Sequence, residues 1–320
     1  MPEAKHLLFV IHGARAELPA VRRLIDVARD AGHTVTPRIT WARGDATNFA
    51  YQGVRDGVDV IVAFGGDGTV NETVNGLAAS DTPLGIVPLG TANDFARQVG
   101  IPSDPDAAMR LILRESPVRI DTGELNGRRF LNVSTAGIGA EATVETPPDA
   151  KEALGALAYA ITGARKLVDL QPISAHVSAP GLDLTTTFLV LAVGNGRATG
   201  GGTLLTPRAS LTDGLLDVCI VEARPRRDFA RLALRFRRGQ HVDRPGVHYY
   251  QLPALRVVAT RPITVNVDGE PTAATTLNYQ ARPGDLRVFM PAQPARRGTL
   301  RPWRRRAVAD QGNTSATTER

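Results

Sequence analysis

The sequence predicts a doubly wound parallel α/β domain followed by an antiparallel β-sandwich domain. Strands and helices alternate through the first third of the chain, and short strands separated by turn residues dominate after Asp121. A third observation fixes where a ligand would sit. The glycine-rich break Gly65-Gly66-Asp67-Gly68-Thr69 separates an apolar run from a helix-spaced segment. On sheets of this class, ligands gather at the carboxyl ends of the strands.

The elements follow in order. Lys5 to Ile11 is an apolar first strand, and Leu18 to Ala31 is a helix with Val21, Leu24, Ile25 and Ala28 on one face. His33 to Thr40 is the second strand and Ala46 to Arg55 the second helix. Val58 to Phe64 has the β-branched content of a buried parallel strand, and Leu84 to Pro88 is a fourth. Three polar segments fall at strand ends: Thr40, Gly65 to Thr69, and Gly90 to Asp94. Beyond Asp121 the expected strands are Arg129–Ser134, Ile173–Ser178, Thr185–Val193, Leu215–Val221, Leu255–Ala259, Ile263–Val267 and Leu286–Met290. Two helical insertions are expected, at Ala150–Leu170 and Arg227–Arg238. The expected boundaries are 1–123 for the α/β domain, 124–293 for the β-rich domain, with the option that its end packs back on the first, and 294–320 for a disordered Arg-rich tail.

Composition narrows the partners. A chain of 320 residues can bury two cores, and its single cysteine, Cys219, lies in an apolar run, so no disulfide framework exists and a cytoplasmic, reducing setting is expected. No apolar stretch approaches the ~18 residues of a membrane span. The net charge is +6, but residues 291–320 carry seven arginines against Asp310 and Glu319, or +5 of it. The remaining 290 residues are nearly neutral, so the basic balance is no sign of a nucleic-acid groove across the fold. The six histidines are scattered, without metal-ligand spacing.

The glycine break is the candidate phosphate site. Glycines let the backbone approach a bound group, and the free N–H groups of a following helix favour an anion. Thr69 and Glu72 stand in the T-x-x-E relation of a capping box, which starts the helix near Thr69. A Walker loop is excluded, because the only lysines are Lys5, Lys151 and Lys166. Asp67 instead puts a carboxylate beside the phosphates, an arrangement that calls for an intervening cation such as Mg²⁺. A plain turn with a solvated aspartate is the alternative.

A second block, Pro88-Leu89-Gly90-Thr91-Ala92-Asn93-Asp94-Phe95-Ala96-Arg97, follows about twenty residues after GGDGTVNE. Together the two blocks resemble the catalytic domain of the diacylglycerol kinase family, bacterial lipid kinases in particular, with sphingosine and ceramide kinases as relatives. NAD kinases share the GGDG turn without the second block. The resemblance covers most of residues 5–290. It implies ATP and Mg²⁺ as cofactors and a nucleotide site at Thr40, Gly65, Gly66, Asp67, Gly68, Thr69, Asn71, Glu72, Thr91, Asn93 and Asp94. Leu211 to Val218 resembles the family's magnesium segment, which implies Ser210, Asp213 and the Leu215 carbonyl at or near the ion. Val267-Asp268-Gly269-Glu270 matches a turn whose glutamate is the family's catalytic base, so Glu270 and Asp67 are the implied catalytic pair. Asp-Gly is also a plain type I′ hairpin signal. The family's N-P-x-x-G opening is replaced by His12-Gly13-Ala14-Arg15, where Arg15 could serve a phosphate.

The implied partner is a diacylglycerol-like lipid met at the inner face of a membrane, with sphingoid, ceramide-type or other lipid alcohols as alternatives. An NAD kinase-like or non-catalytic nucleotide-binding protein is the reading from another class. No specific nucleic acid is expected, and a homodimer is an option. Gly137 to Ala142 fits G-x-G-x-x-A, but Pro147-Pro148 cuts the following helix short, so a dinucleotide site is disfavoured. Gly200-Gly201-Gly202 reads as a loop beside the cleft. Arg231, Arg235 and Arg238 share one helix face while Phe229, Leu232, Ala233 and Phe236 share another. That pattern fits an interfacial helix or a surface helix packed on its own domain, and the second is preferred.

Overall fold

In the computed structural model, residues 4–137 and 171–291 are described. The first domain alternates β1 (His6–His12), α1 (Pro19–Asp30), β2 (Thr34–Thr40), α2 (Asp45–Arg55), β3 (Val60–Gly65), α3 (Asp67–Leu77), β4 (Leu84–Pro88), α4 (Asp94–Val99) and α5 (Pro105–Arg114). Its strands run parallel in the order β4-β3-β1-β2. Helices cover the sheet, so β3 and β4 are buried along their whole length, which is why they read as unbroken apolar runs. Phe9 and Phe64 fill the centre with ring centroids 4.7 Å apart.

The second domain comprises β5 (Val118–Leu125), β6 (Arg128–Phe130), β7 (Val133–Gly137), β8 (Ile173–Ala179), β9 (Leu182–Gly194), β10 (Leu216–Glu222), α6 (Arg226–Ala233), β11 (Val247–Leu252), β12 (Ala254–Val267) and β13 (Glu270–Val288). Its strand pairs are antiparallel. β12 pairs with β8 through Arg256–Ala259 and with β7 through Val265–Val267, bending at a bulge between Val258 and Ile263. One strand therefore serves two layers, which is how a sandwich turns its corners. Leu191, Val193, Val218, Val257, Val265 and Leu277 lie in the core between them. β13 then leaves the sandwich, pairs along β5, and meets β4 in parallel at Val288 and Leu84.

Several expected boundaries move. The helix expected to start near Thr69 begins at Asp67, with Gly66 as its N-cap and no side chain capping it. The capping box is not formed because Thr69 already lies inside the first turn, where its side chain is buried. α5 lies outside the expected elements. Its signal is Asp104-Pro105, an N-cap whose carboxylate accepts the Ala107 N–H at 3.0 Å, with proline in the first turn. The expected strands Leu255–Ala259 and Ile263–Val267 are the two limbs of β12, and β11 adds a strand. The expected helix at Ala150–Leu170, the G-x-G-x-x-A stretch beyond Gly137 and the expected tail lie outside the described residues. Among the described residues no helix is long and apolar enough to cross a membrane. Cys219 is a free, buried core thiol, and burial pushes its pKa up to about 12.

β10 also buries a carboxylate. Asp217 accepts the Tyr249 O–H at 2.6 Å and Gln251 Nε2 at 3.3 Å, yet burial raises its pKa to about 6. The folded chain thus holds this proton more tightly than the unfolded chain does. The associated stability is full below about pH 4 and is lost as pH rises through about 6. Asp217→Asn is expected to flatten that fall by up to about 3 kcal/mol, as measured by urea unfolding at pH values between 4 and 7.

Candidate active site

Two strand-end loops meet at a pair of glycines. A Cβ placed on Gly66 would lie 3.1 Å from the Gly90 Cα, so the loops after β3 and β4 touch backbone to backbone. The Leu89 N–H donates to the Gly65 carbonyl at 2.8 Å. Asn93, at φ 47°, closes a ring with Gly90: the Gly90 N–H donates to its Oδ1 at 3.1 Å and its Nδ2 donates to the Gly90 carbonyl at 2.7 Å. With Gly66 as a bare N-cap, the first-turn N–H groups of α3 are open to an anion.

Asp67 does not point into that turn. Its carboxylate accepts the Phe95 N–H at 3.3 Å, in the first turn of α4. Burial, and then the neighbouring Asp94 carboxylate, raise its pKa. Asp94 is buried and accepts the Gly201 N–H at 3.0 Å, tying α4 to the triple-glycine turn of the second domain.

A cavity of about 610 Å³ opens beside this junction, lined by Thr40, Gly68, Thr69, Glu72 and Glu270 together with His12, Gly13 and Trp41. The Thr40 hydroxyl accepts the Gly13 N–H at 3.2 Å, so it holds the turn after β1. Asp45 accepts the N–H groups of Trp41 and Ala42 at 2.7 and 2.8 Å. The Ala42 and then the Trp41 bond hold its carboxyl below the usual range. This bracing sets Trp41, 88% exposed, and Arg43 at the cavity rim.

Glu270 enters the cavity from the opposite domain. Asp268 (φ 49°) and Gly269 (φ 95°) form the two-residue hairpin turn between β12 and β13, and both positive angles match the Asp-Gly preference. The Asp268 carboxylate is buried. It accepts the N–H groups of Leu131, Asn132 and Val133 at 2.6, 2.9 and 3.2 Å, and Nδ2 of Asn71 at 3.0 Å. Burial raises its pKa to about 6 against the pull of these donors. The Glu270 carboxylate forms ion pairs with both Arg43 of the first domain and Arg128 of the second, through the same oxygen.

The structure thus brings Thr40, Gly68, Thr69, Glu72 and Glu270 to one cavity. Gly65, Gly66, Asp67, Asn93 and Asp94 form the loop contact behind it. Asn71 has a different place. It is 1% exposed, with its amide donating to the Arg129 carbonyl and Asp268 while Asn75 bonds the Arg129 backbone on both sides, so α3 is stitched to β6. Thr91 is exposed, and its carbonyl accepts from Arg97.

Ser210, Asp213 and Leu215 stand apart from the cavity lining. Their loop is fastened to Asp121, whose carboxylate accepts the Gly214 and Gly284 N–H groups at 2.7 and 2.8 Å. Asp213 accepts the Leu215 N–H at 3.1 Å, and burial and Asp121 raise its pKa. Among the described residues no three His, Cys, Asp or Glu side chains converge on a metal position. The acidic neighbours of Asp67 are Asp94 and Asp268, and those of Asp213 are Asp121 and Asp217. Sequence reasoning did not single out Arg43, Arg128, Asn75 or Asp268. Only Asp268 carried a local signal, its place in the Asp-Gly turn; the arginines are 85 residues apart and meet only through Glu270.

Comparison with known proteins agrees with this layout. Residues 6–125 match the model of the diacylglycerol kinase catalytic domain. Residues 133–290 match the YegS C-terminal NAD kinase beta sandwich-like domain. A "Probable lipid kinase YegS-like" of Pseudomonas aeruginosa is 40% identical over 288 residues, covering 89% of this chain and 94% of its own. One of Pseudomonas fluorescens is 40% identical over 294 residues, covering 91% and 97%. The crystal structure of a diacylglycerol kinase from Bacillus anthracis str. Sterne aligns with a TM-score of 0.68 at 21% identity, covering 91% of this chain and 98% of that one, a likeness of fold.

Asp268→Asn replaces one carboxylate oxygen by a donor, so at least two buried N–H groups lose their acceptor. The expected cost is about 2–4 kcal/mol of unfolding free energy, read by urea denaturation at pH 7.

Proposed function

This chain belongs to the diacylglycerol kinase catalytic domain family and carries the YegS-type C-terminal domain, and we propose that it is an ATP- and Mg²⁺-dependent lipid kinase acting on a hydroxyl of a diacylglycerol-like lipid. The observation that carries this reading is that two groups distant in the sequence line one cavity: the uncapped N-terminus of α3 and Glu270.

In this reading the backbone of Gly65 to Thr69, with Thr40 and Thr91, holds the triphosphate. Glu270 accepts the proton of the attacking lipid hydroxyl as its oxygen bonds to the γ-phosphorus and the bond to ADP breaks. Arg43 and Arg128 both hold the Glu270 carboxylate. A polyphosphate there offers both guanidiniums a second partner, which releases Glu270 lone pairs for the hydroxyl. The acidic groups at Asp67 and Asp213 would suit a Mg²⁺ brought by the nucleotide, an ion that needs only one or two protein carboxylates beside the phosphates it neutralises. Asp67 is the first such group. Asp213, with Ser210 and the Leu215 carbonyl, is a second at the Asp121 loop.

Incubation with radiolabelled ATP and a panel of diacylglycerol, sphingoid base, ceramide and prenyl alcohol in mixed micelles is expected to label diacylglycerol most strongly. Absence of label in every lipid, with nucleotide still bound, would return the chain to a non-catalytic role. Glu270→Gln is expected to lower kcat by about 10²–10⁴-fold while nucleotide still binds. Asp67→Ala is expected to abolish labelling. Arg43→Gln and Arg128→Gln are each expected to raise the nucleotide KM by about tenfold, the loss of one charge-assisted bond.

A further inference from the structure

A second charged feature lies away from this cavity. Between Arg224 and Arg244 the chain carries eight arginines, at 224, 226, 227, 231, 235, 237, 238 and 244, against Asp228 and Asp243. The apolar face of α6 and the turn after it is covered: Phe229, Leu232 and Phe236 pack on Val133, Leu189, Cys219 and Val221. That burial answers the helix-face question in favour of packing, and it leaves the opposite face outward. There Arg227, Arg231, Leu234, Arg235 and Arg238 follow one another at helical spacing. Leu234 is 81% exposed, a large apolar side chain in water with arginines on either side of it.

The arginines also converge in space. A cavity of about 480 Å³ opens between α6 and the connection from α6 to β11, lined by Arg224, Arg231, Arg235 and Arg244. Arg224 is braced in place, with its guanidinium donating to the carbonyls of Glu222 and Gly246. Arg231 faces Asp228 only at 3.8 Å and both are exposed, while Glu222 is engaged by His248 at 2.7 Å. Arg226 and Arg227 occupy the first turn of α6, against the sense of the helix dipole. The ledge therefore gathers positive charge that local structure does not call for.

We propose that this ledge is the docking surface for an anionic lipid bilayer, with the arginines on lipid phosphates and Leu234 entering the interface. Charge complementarity selects an anionic surface, and Leu234 separates a bilayer from a soluble polyanion, which has no apolar layer to receive it. The placement suits the kinase reading, on which the choice of a membrane rests. β7 runs from Val133, bonded to Asp268 of the site, to Gly137, beside Val190 and thus beside the end of β10 that leads into Arg224. Ledge and cavity are then about one five-residue strand, roughly 17 Å, and two strand spacings apart.

The test is co-sedimentation of the full chain with vesicles of phosphatidylcholine alone or with phosphatidylglycerol. The variants are Arg231→Gln/Arg235→Gln/Arg244→Gln, Leu234→Ser, and Arg301→Gln/Arg304→Gln/Arg305→Gln/Arg306→Gln. Binding is expected only to the anionic vesicles and to weaken with salt. The ledge triple variant should lose on the order of a hundredfold in partition, at about fivefold per arginine, and Leu234→Ser about fivefold. Binding abolished by the 301–306 variant and untouched by the ledge variant overturns the proposal, as does no binding by the parent chain. Loss with the arginines but none with Leu234→Ser assigns the ledge to polyanions in general and overturns the lipid assignment. Turnover of detergent-dispersed lipid by the same variants is expected to stay at the parent rate. Turnover absent from the parent chain as well points to failure of the kinase reading rather than of the ledge.

Discussion

The arrangement depends on one buried carboxylate. Asp268 takes three consecutive main-chain N–H groups from Leu131 to Val133 and the amide of Asn71. Those donors belong to the start of the second domain and to α3 of the first. A buried charge without such partners would be strongly unfavourable, and each donor without it would be orphaned. The turn therefore has one stable seat. Because Glu270 is two residues further on, its position follows from that seat, and a side chain from the far end of the chain is fixed against the N-terminus of α3.

The acidic residues of the GGDG and GTAND blocks serve a similar purpose. Asp67 caps α4, Asp94 holds the triple-glycine turn, and Asn93 closes the loop at Gly90. These contacts bring two strand ends to backbone contact at Gly66 and Gly90. They leave the α3 amides open, since no side chain caps them. Beside the part proposed for it toward Mg²⁺, the Asp67 carboxylate thus shapes the loop that would do the binding.

Much of the fold was legible because the physical signals are local. The parallel strands are buried on both faces and so appear as apolar runs, and the Asp-Gly pair announced its hairpin. α5 had an Asp-Pro signal that went unused. The capping-box motif misled, because Thr-x-x-Glu describes spacing and not which residue has the extended backbone that a cap needs; Gly66 has it. The two guanidiniums on Glu270 were not legible at all. Each is an unremarked arginine in its own segment, and only the folding of β2's loop and β6 onto one turn gives them a common partner. For the same reason Asn71, inside the recognised motif, could not be seen to face β6 in place of a ligand.

β13 carries a mechanical consequence. It is a single 19-residue strand that begins at Glu270 in the sandwich, runs along β5, and ends against β4 of the parallel sheet. Two lobes joined by a flexible linker can swing apart to admit and release their guests. Here the ladder acts as a splint between them, with a bend only at the bulge between Arg282 and Leu286. Swinging these two lobes apart would therefore mean bending or breaking a hydrogen-bonded ladder.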